Sequence, residues 1–365
     1  MKRVVVAMSG GVDSSVAASL LKDKGYEVIG VTMRLWPEEL CGLHGQRSCC
    51  SLESIEDARA VANRLGIPYY VLNVKDEFKR EVIDYFCSEY SRGRTPNPCI
   101  VCNNKIKFST LLEKAKDLGA DYVATGHYAS LDYDAVSGRY FIKEGKDKTK
   151  DQSYVLFNLT QGQLKYMLLP LGELTKKEVR ELARAKDLRI SEKPESQEIC
   201  FVLNGDYRDF IKDRLRDIAP GKIIDTEGRN LGEHRGIAFY TVGQRKGLGI
   251  AAGRPLYIIQ IDAEKNSILV GEEEDVRKKE LIASEISWMA VDSMKGAMRN
   301  GSGRNGPLRA RAKIRYNHKK ADCQIIPVSD GEVEVIFDEP QHAITPGQAV
   351  VFYEGEKILG GGWIR

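Results

Sequence analysis

The chain has 365 residues, 42% hydrophobic and 29% charged, with a formal net charge of +3. That length exceeds one typical core and predicts two or three domains, the composition is that of a globular chain, and the small net charge cannot by itself argue for a nucleic-acid partner. No apolar run reaches the ~18 residues of a membrane span, and the start MKRVVVAMSGGVDSS lacks the apolar stretch and cleavage pattern of an export signal, so the expectation is a cytoplasmic protein with no membrane partner.

From the N-terminus, strand-like and helix-like segments alternate, the pattern of parallel βαβ units. Residues 3–8 (RVVVAM) read as a buried strand, 13–24 as a helix and 26–33 (YEVIGVTM) as the next strand. A helix beginning near Ser51 follows, marked by early acids and a late Arg. Then come a strand at 69–74, a helical stretch to about Tyr90, a helix near 107–118 and a strand at 121–129. This predicts a doubly wound parallel sheet within residues 1–204. From about residue 205 short strands with frequent glycines predict a small β-rich central domain, 205–272. The remainder, 273–365, opens with a Gly-, Arg- and Ser-rich tract at 294–309 that reads as a flexible basic loop. Beyond it RARAKIRY, CQIIPV, EVEVIFD, QAVVFYEG and KILGGGWI are evenly spaced strands, as in a small barrel. No internal repeat is visible.

The densest chemical signal is SGGVDSS, Ser9 to Ser15, between a buried strand and a helix. Two glycines let backbone approach a ligand closely, while Ser and Asp side chains and a helix N-terminus offer donors and a positive dipole end to phosphate oxygens. The stretch lacks the Lys-Ser/Thr ending of a Walker loop and is not GxGxxG, which disfavours kinase-type and dinucleotide sites. The eight cysteines are Cys41, Cys49, Cys50, Cys87, Cys99, Cys102, Cys200 and Cys323. In a chain of this length and expected compartment they argue for metal or thiol chemistry rather than a disulfide framework. Cys87 and Cys323 read as small buried hydrophobes. Cys41, Cys49, Cys50 and His44 leave a zinc site open, although their spacing lacks CxxC.

SGGVDSS resembles the pyrophosphate loop of the N-type ATP pyrophosphatases, whose members split ATP between the α and β phosphates and adenylate a carbonyl oxygen. CNNKIKF, TGHYA (125–129), KDQSY (150–154), SQEICF around Cys200, TVGQRKGLGI and TPGQAVVFY (345–353) occur in the order found in tRNA-specific 2-thiouridylases of the MnmA type. That resemblance spans essentially the whole chain. It implies an adenine nucleotide alpha hydrolase-like N-terminal sheet and a C-terminal barrel that binds tRNA. The activity it implies is ATP-dependent formation of 2-thiouridine at the wobble position, in tRNAs for Lys, Glu and Gln. The resemblance implies ATP contacts at Ala7, Met8, Ser9, Gly10, Gly11, Val12, Asp13 and Ser14, at Met33, which alone reads as core, and at Gly126. Asp13 would help hold Mg²⁺, a hard ion that takes oxygen ligands.

The same resemblance makes Cys102 the nucleophile and Cys200 the carrier of a persulfide sulfur, supplied by a donor such as a cysteine desulfurase or a sulfur relay protein. Cys102 and Cys200 would end the cycle as a disulfide that a reductant reopens. Here the chain departs from part of the family, because Cys99 stands where many members carry Asp. Cys99, Cys102 and Cys200 could then instead hold a 4Fe–4S cluster with one open iron. Both routes use the same cysteines, and a zinc site ranks behind them. Contacts with tRNA are implied at Asn97, Pro98 and Cys99 around the target base, and at His127, Lys150, Asp151, Gln152, Arg315, Tyr316 and Gln348. The basic run RARAKIRYNHKK, residues 309–320, carries Tyr316 among its cations and fits phosphate contact with base stacking. Two rivals remain. An amidotransferase-type synthetase would bring an ammonia-supplying glutaminase, which nothing here resembles. A non-catalytic tRNA-binding metalloprotein would have no use for SGGVDSS.

Overall fold

The computed structural model describes residues 1–35, 52–193, 199–202, 206–216, 218–251, 253–292 and 307–365. The chain forms two compact units. One comprises Met1–Val82, Cys99–Gly205 and Glu356–Ile358, the other Ile83–Pro98, Asp206–Gly355 and Leu359–Arg365.

In the first unit, β1 (Arg3–Ala7), β2 (Glu27–Arg34), β3 (Tyr69–Asn73), β4 (Tyr122–Ala124) and β7 (Met167–Leu168) make a parallel sheet in the order β3-β2-β1-β4-β7. Val4, Val5 and Val6 of β1 are wholly buried, so the central strand is covered on both faces, as a parallel sheet requires. Val4 and Val6 pack in one core with Val16, Ala17 and Leu21 of α1 (Val12–Asp23), Ala58, Val61 and Ala62 of α2 (Leu52–Leu65), and Val179 and Ala183 of α3 (Lys176–Ala185). The chain runs from β1 out to β3 on one side and returns through β4 on the other. The loops leaving β1 and β4 therefore part at the point where strand order reverses, the place where open α/β sheets bind ligands. β5 (Ala129–Asp134) and β6 (Arg139–Glu144) form an antiparallel hairpin outside this sheet, with Lys143 registered against Lys357. Residues Pro98–Asp117 are helical throughout, with a π-helical stretch from Cys102 to Thr110.

In the second unit, β8 (Gly221–Asp225), β9 (Asn230–His234), β10 (Tyr257–Asp262) and β11 (Ser267–Gly271) form a sheet in the order β10-β11-β8-β9 around Ile223, Tyr240, Ile258, Ile268 and Val270. β12 (Arg277–Trp288), β13 (Leu308–Lys313), β14 (Ala321–Ser329), β15 (Glu332–His342), β16 (Ala349–Glu354) and β17 (Lys357–Ile364) follow in the order β12-β15-β14-β13-β16-β17. Pairing of Ala283 with Ile364 and of Trp288 with Gly360 closes them into a barrel, which removes the open edges. Phe337, Phe352 and Tyr353 of these strands are fully buried.

Four sequence expectations change. The strand expected at 121–129 ends at Ala124, because residues 125–128 leave the sheet to pack on the start of α1, and β5 begins at Ala129. The central region opens with a helix, Tyr207–Lys212, whose N-cap Asp206 accepts the Arg208 N–H at 2.9 Å. Between β9 and β10 the glycine-rich stretch makes turns and a short 3₁₀ helix, Ile237–Phe239, rather than strands. The strand read as RARAKIRY stops at Lys313, leaving Arg315 and Tyr316 in a turn. Ser51, the cysteine-rich stretch with Cys41, His44, Cys49 and Cys50, and the basic tract to Gly306 lie outside the described residues. Replacing Phe337 by Ala should cost about 3–5 kcal/mol through lost burial and a residual cavity, seen as a lower urea midpoint for barrel unfolding.

Candidate active site

Three residues past β1 the chain must turn so tightly that only glycine fits. Gly10 has φ +69°, and a Cβ there would lie 2.2 Å from the Ser54 carbonyl oxygen. Gly11 is the N-cap of α1 and no side chain caps it. Instead Ser14 and Ser15 turn back, their hydroxyls donating to the Gly11 carbonyl at 3.2 and 2.9 Å, and Ser14 Oγ accepts the Ser9 N–H at 3.1 Å. The loop is braced by its own serines, and the amides of the first turn of α1 are left to an outside acceptor, which is the arrangement that binds phosphate. Gly126 closes the other side. A Cβ there would sit 2.7 Å from both the Asp13 carbonyl carbon and the Ser14 nitrogen, so the two loops touch backbone to backbone. Met33 lies half-buried at the end of β2, one residue beyond Thr32, whose hydroxyl donates to the Met8 carbonyl at 2.7 Å. Ala7 to Ser14, Met33 and Gly126 are thus brought to one end of the sheet.

Asp13 carries a partner that sequence reading missed. The Lys176 ammonium reaches its two carboxylate oxygens at 2.7 and 2.8 Å, and the Tyr128 hydroxyl donates to Oδ1 at 2.6 Å. Lys176 is 8% exposed; a cation that buried stands only because it is paired. Its place comes from the start of α3, where Thr175 and Glu178 form a reciprocal capping box. Hydrogen bonds from Lys146 and from Thr175 pull the Glu178 carboxyl down to about 2. The T-x-x-E spacing was the available signal, and it marks a helix start without saying what faces it.

Cys102 is buried at the first position of the π-helical stretch, while Cys99, one turn earlier, is exposed and Cys200 is half-buried. Side chains clamp the stretch. Asn103 donates to the Val155 carbonyl at 3.1 Å, Asn104 to that of Asn158 at 2.8 Å, and Gln163 to the Asn104 carbonyl at 3.0 Å and Ser109 Oγ at 2.9 Å. π-helical turns inside α-helices are frequent at functional sites. Among the described residues no three His, Cys, Asp or Glu side chains are grouped as a metal would need. Cys99, Cys102 and Cys200 are not grouped in that way, and Asp13, expected to help hold Mg²⁺, faces the Lys176 ammonium.

Residues 2–204 match the family model described as a tRNA methyl transferase HUP domain, 208–272 its PRC-barrel domain, and 278–364 an aminomethyltransferase beta-barrel domain. A tRNA-specific 2-thiouridylase MnmA of Acetivibrio thermocellus is 52% identical over 100% of this chain and 99% of its own. The protein of the same name from Moorella thermoacetica is 54% identical over 99% of each chain. The chain belongs to the tRNA-specific 2-thiouridylase family. Among solved structures, a 4-thiouridine synthetase–RNA complex with bound ATP matches at 18% identity and a TM-score of 0.35, over 58% of this chain and 50% of that one.

The remaining expected sites are distributed over both units. In the first, His127 is 7% exposed and its Nδ1 lies 2.7 Å from Thr125 Oγ1. Asp151 is buried, accepting the amides of Gly145 and Ser153 at 3.1 Å each, and Gln152 accepts the Tyr128 amide at 3.0 Å. Both side chains brace local backbone, and beside them Lys150 is half-buried, its amide donating to the Asp147 carbonyl at 3.1 Å. Asn97 and Pro98 belong to the second unit, as do Arg315, Tyr316 and Gln348. Arg315 NH2 donates to the carbonyls of His342 and Ala343, the latter at 3.1 Å. Along the basic run, Arg309 pairs with Asp338 at 2.7 Å and Arg311 with Asp322 at 3.7 Å, so those two strand cations are neutralised in place.

Burial, aided by the Lys107 charge, holds the His127 imidazole well below its ordinary 6.5. The unfolded chain takes a proton there as pH falls below about 6.5 and the folded chain does not, so stability drops with pH until the folded value is reached. Replacing His127 by Gln should flatten part of the fall in urea midpoint between about pH 6.5 and 5.

Proposed function

We propose that the chain is an ATP-dependent tRNA sulfurtransferase that replaces the C2 oxygen of the wobble uridine by sulfur, in the cytoplasm, in tRNAs for Lys, Glu and Gln. One observation carries this reading: an uncapped helix N-terminus at the reversal of a parallel sheet lies in the same unit as two separate cysteines, Cys102 and Cys200. A phosphate site and thiols together serve an activation followed by sulfur transfer. Methyl transfer, the word in two of the matched domain descriptions, has no need of a phosphate loop. Residues 1–204 supply the chemistry, and the barrel, 273–365, binds tRNA.

A uracil carbonyl oxygen is a poor leaving group. Its C2 oxygen attacks the α-phosphorus of ATP, an O–P bond forms, the bond to the β-phosphate oxygen breaks, and pyrophosphate leaves. The amides of the first turn of α1 and the loop from Ala7 to Ser14 hold the phosphates, with Met33 and Gly126 bordering the nucleotide. The Lys176 ammonium supplies positive charge where phosphate charge shifts. A sulfur donor, a cysteine desulfurase or sulfur relay protein, leaves a persulfide on Cys200. The Cys102 thiolate attacks Cys200 Sγ, the persulfide S–S bond breaks, and the terminal sulfur bonds to C2 as AMP departs with the former oxygen. A Cys102–Cys200 disulfide remains, and an external dithiol reduces it to restart the cycle. Asn97, Pro98 and Cys99 surround the target base, which must be drawn out of its stack.

The test is release of pyrophosphate and AMP by the purified chain, expected only when tRNA is present. Cys102→Ser and Cys200→Ser should each abolish thiolation, and chelator-treated, iron-free protein with a persulfide donor should retain it; dependence on iron would overturn the persulfide route. Lys176→Met should slow pyrophosphate release at saturating ATP and tRNA by roughly 10²-fold, while tRNA binding measured by filter retention stays within about 2-fold.

A further inference from the structure

Thr125 and His127 follow β4 in the stretch that packs on the start of α1, and bonds on either side leave that stretch little freedom. The Thr125 N–H donates to the Leu168 carbonyl at 3.3 Å and the Gln152 N–H to the Tyr128 carbonyl at 2.8 Å. Gln152 Oε1 accepts the Tyr128 N–H in return at 3.0 Å. The imidazole is held as well. Its ring centroid lies 6.2 Å from that of Phe108, a side chain buried within the π-helical stretch that Cys102 opens. With backbone and ring both placed, the remaining variable is which ring nitrogen carries the hydrogen, and that is set by the bond the other nitrogen makes.

Hydrogen-bond accounting decides it. Thr125 is 3% exposed, and among the described residues its hydroxyl has one polar partner, His127 Nδ1 at 2.7 Å. A buried O–H left without an acceptor costs the desolvation of that group. Were Nδ1 protonated, the Thr125 hydrogen would have nothing to bond; with Nδ1 bare, the hydroxyl donates to it and no donor is stranded. Burial, aided by the Lys107 charge, keeps the ring neutral well below pH 6.5. It therefore carries a single hydrogen, on Nε2, and Nε2 has no hydrogen-bond partner among the described residues.

We propose that Thr125 is a positioning residue that sets the tautomer of His127, so that Nε2 presents a hydrogen to an acceptor oxygen of the bound tRNA. The opposite tautomer would turn a lone pair toward that oxygen and leave the Thr125 hydroxyl unpaired. This rests on the expectation that His127 meets tRNA, while the tautomer itself follows from the fold alone.

The experiment labels the imidazole nitrogens of the full chain with ¹⁵N and reads their shifts near neutral pH, the His127 signals being those lost in His127→Gln. Wild type should show a bare Nδ1 and a protonated Nε2. Thr125→Val, which keeps shape and removes the hydroxyl, should move both shifts toward the other tautomer, and Thr125→Ser should restore them. By filter retention, Thr125→Val should weaken tRNA binding by roughly 3- to 10-fold, the size of one lost hydrogen bond, with Thr125→Ser within about 2-fold of wild type. In a His127→Gln background, where no tautomer is left to set, Thr125→Val should change affinity by less than about 2-fold. A protonated Nδ1 in wild type, or shifts unmoved in Thr125→Val, would overturn the tautomer assignment. Shifts that move while affinity holds, or an equal loss of affinity in the Gln background, would overturn the role in tRNA binding. Should wild type bind and thiolate no tRNA, the functional reading fails instead, and the nitrogen shifts alone decide whether Thr125 sets the tautomer.

Discussion

Two loops that meet with no side chain between them set up the nucleotide end of the parallel sheet. Gly126 lies against the backbone of Asp13 and Ser14 so closely that one methyl group would separate them. β1 and β4 are adjacent and parallel, so their outgoing loops start side by side. The contact then turns that adjacency into a site. It holds the first turn of α1 open beside the sheet's end, and two residues after Gly126 it delivers the Tyr128 hydroxyl to Asp13. With any larger residue at 126, the backbone of Asp13 and Ser14 would have to shift.

Charge follows from that geometry. An ammonium as enclosed as that of Lys176 needs a counter-charge, and Asp13 supplies it across both carboxylate oxygens. The pair is neutral as a unit, so the amides at the start of α1 are what favour an anion there. The same economy of buried polar groups governs the cysteine-bearing helix. Its π-helical turns leave carbonyl groups that ordinary helix bonds do not absorb, and Gln163 spends both amide hydrogens on that stretch while its oxygen accepts the Thr160 amide at 2.8 Å.

Much of this was readable beforehand where a rule is local. Three successive valines before a glycine pair marked a buried strand entering a phosphate loop, and KILGGGWI, one of several evenly spaced strand-like segments, marked a barrel strand whose bounds, Lys357–Ile364, match. The sequence was silent where a partner lies far along the chain. Lys176 is 163 residues from Asp13, and no local feature of the sequence pairs the two. Thr125 to Tyr128 read as strand because its residues favour extended backbone, and the pull of α1 on Gly126 was not visible locally. Arg309 and Arg311 read as a basic face because Asp338 and Asp322 belong to other strands. Asp151 was expected to contact tRNA only through the family resemblance, and that its carboxylate accepts the Gly145 and Ser153 amides was not visible along the chain.

The amino-acid sequence by itself determined the parallel sheet, the barrel, the glycine turn at Ser9–Ser15 and the identity of the cysteines, because apolar periodicity, glycine conformation and thiol chemistry act over a few neighbouring residues. Tertiary structure alone decided which charges those features meet. Asp13 faces Lys176, Gln348 faces the carbonyls of Thr95 and Pro96, and Cys99 and Cys102 take opposite exposures on one helix. Such pairings depend on burial and on backbone groups brought together from distant segments, and no spacing along the chain encodes them.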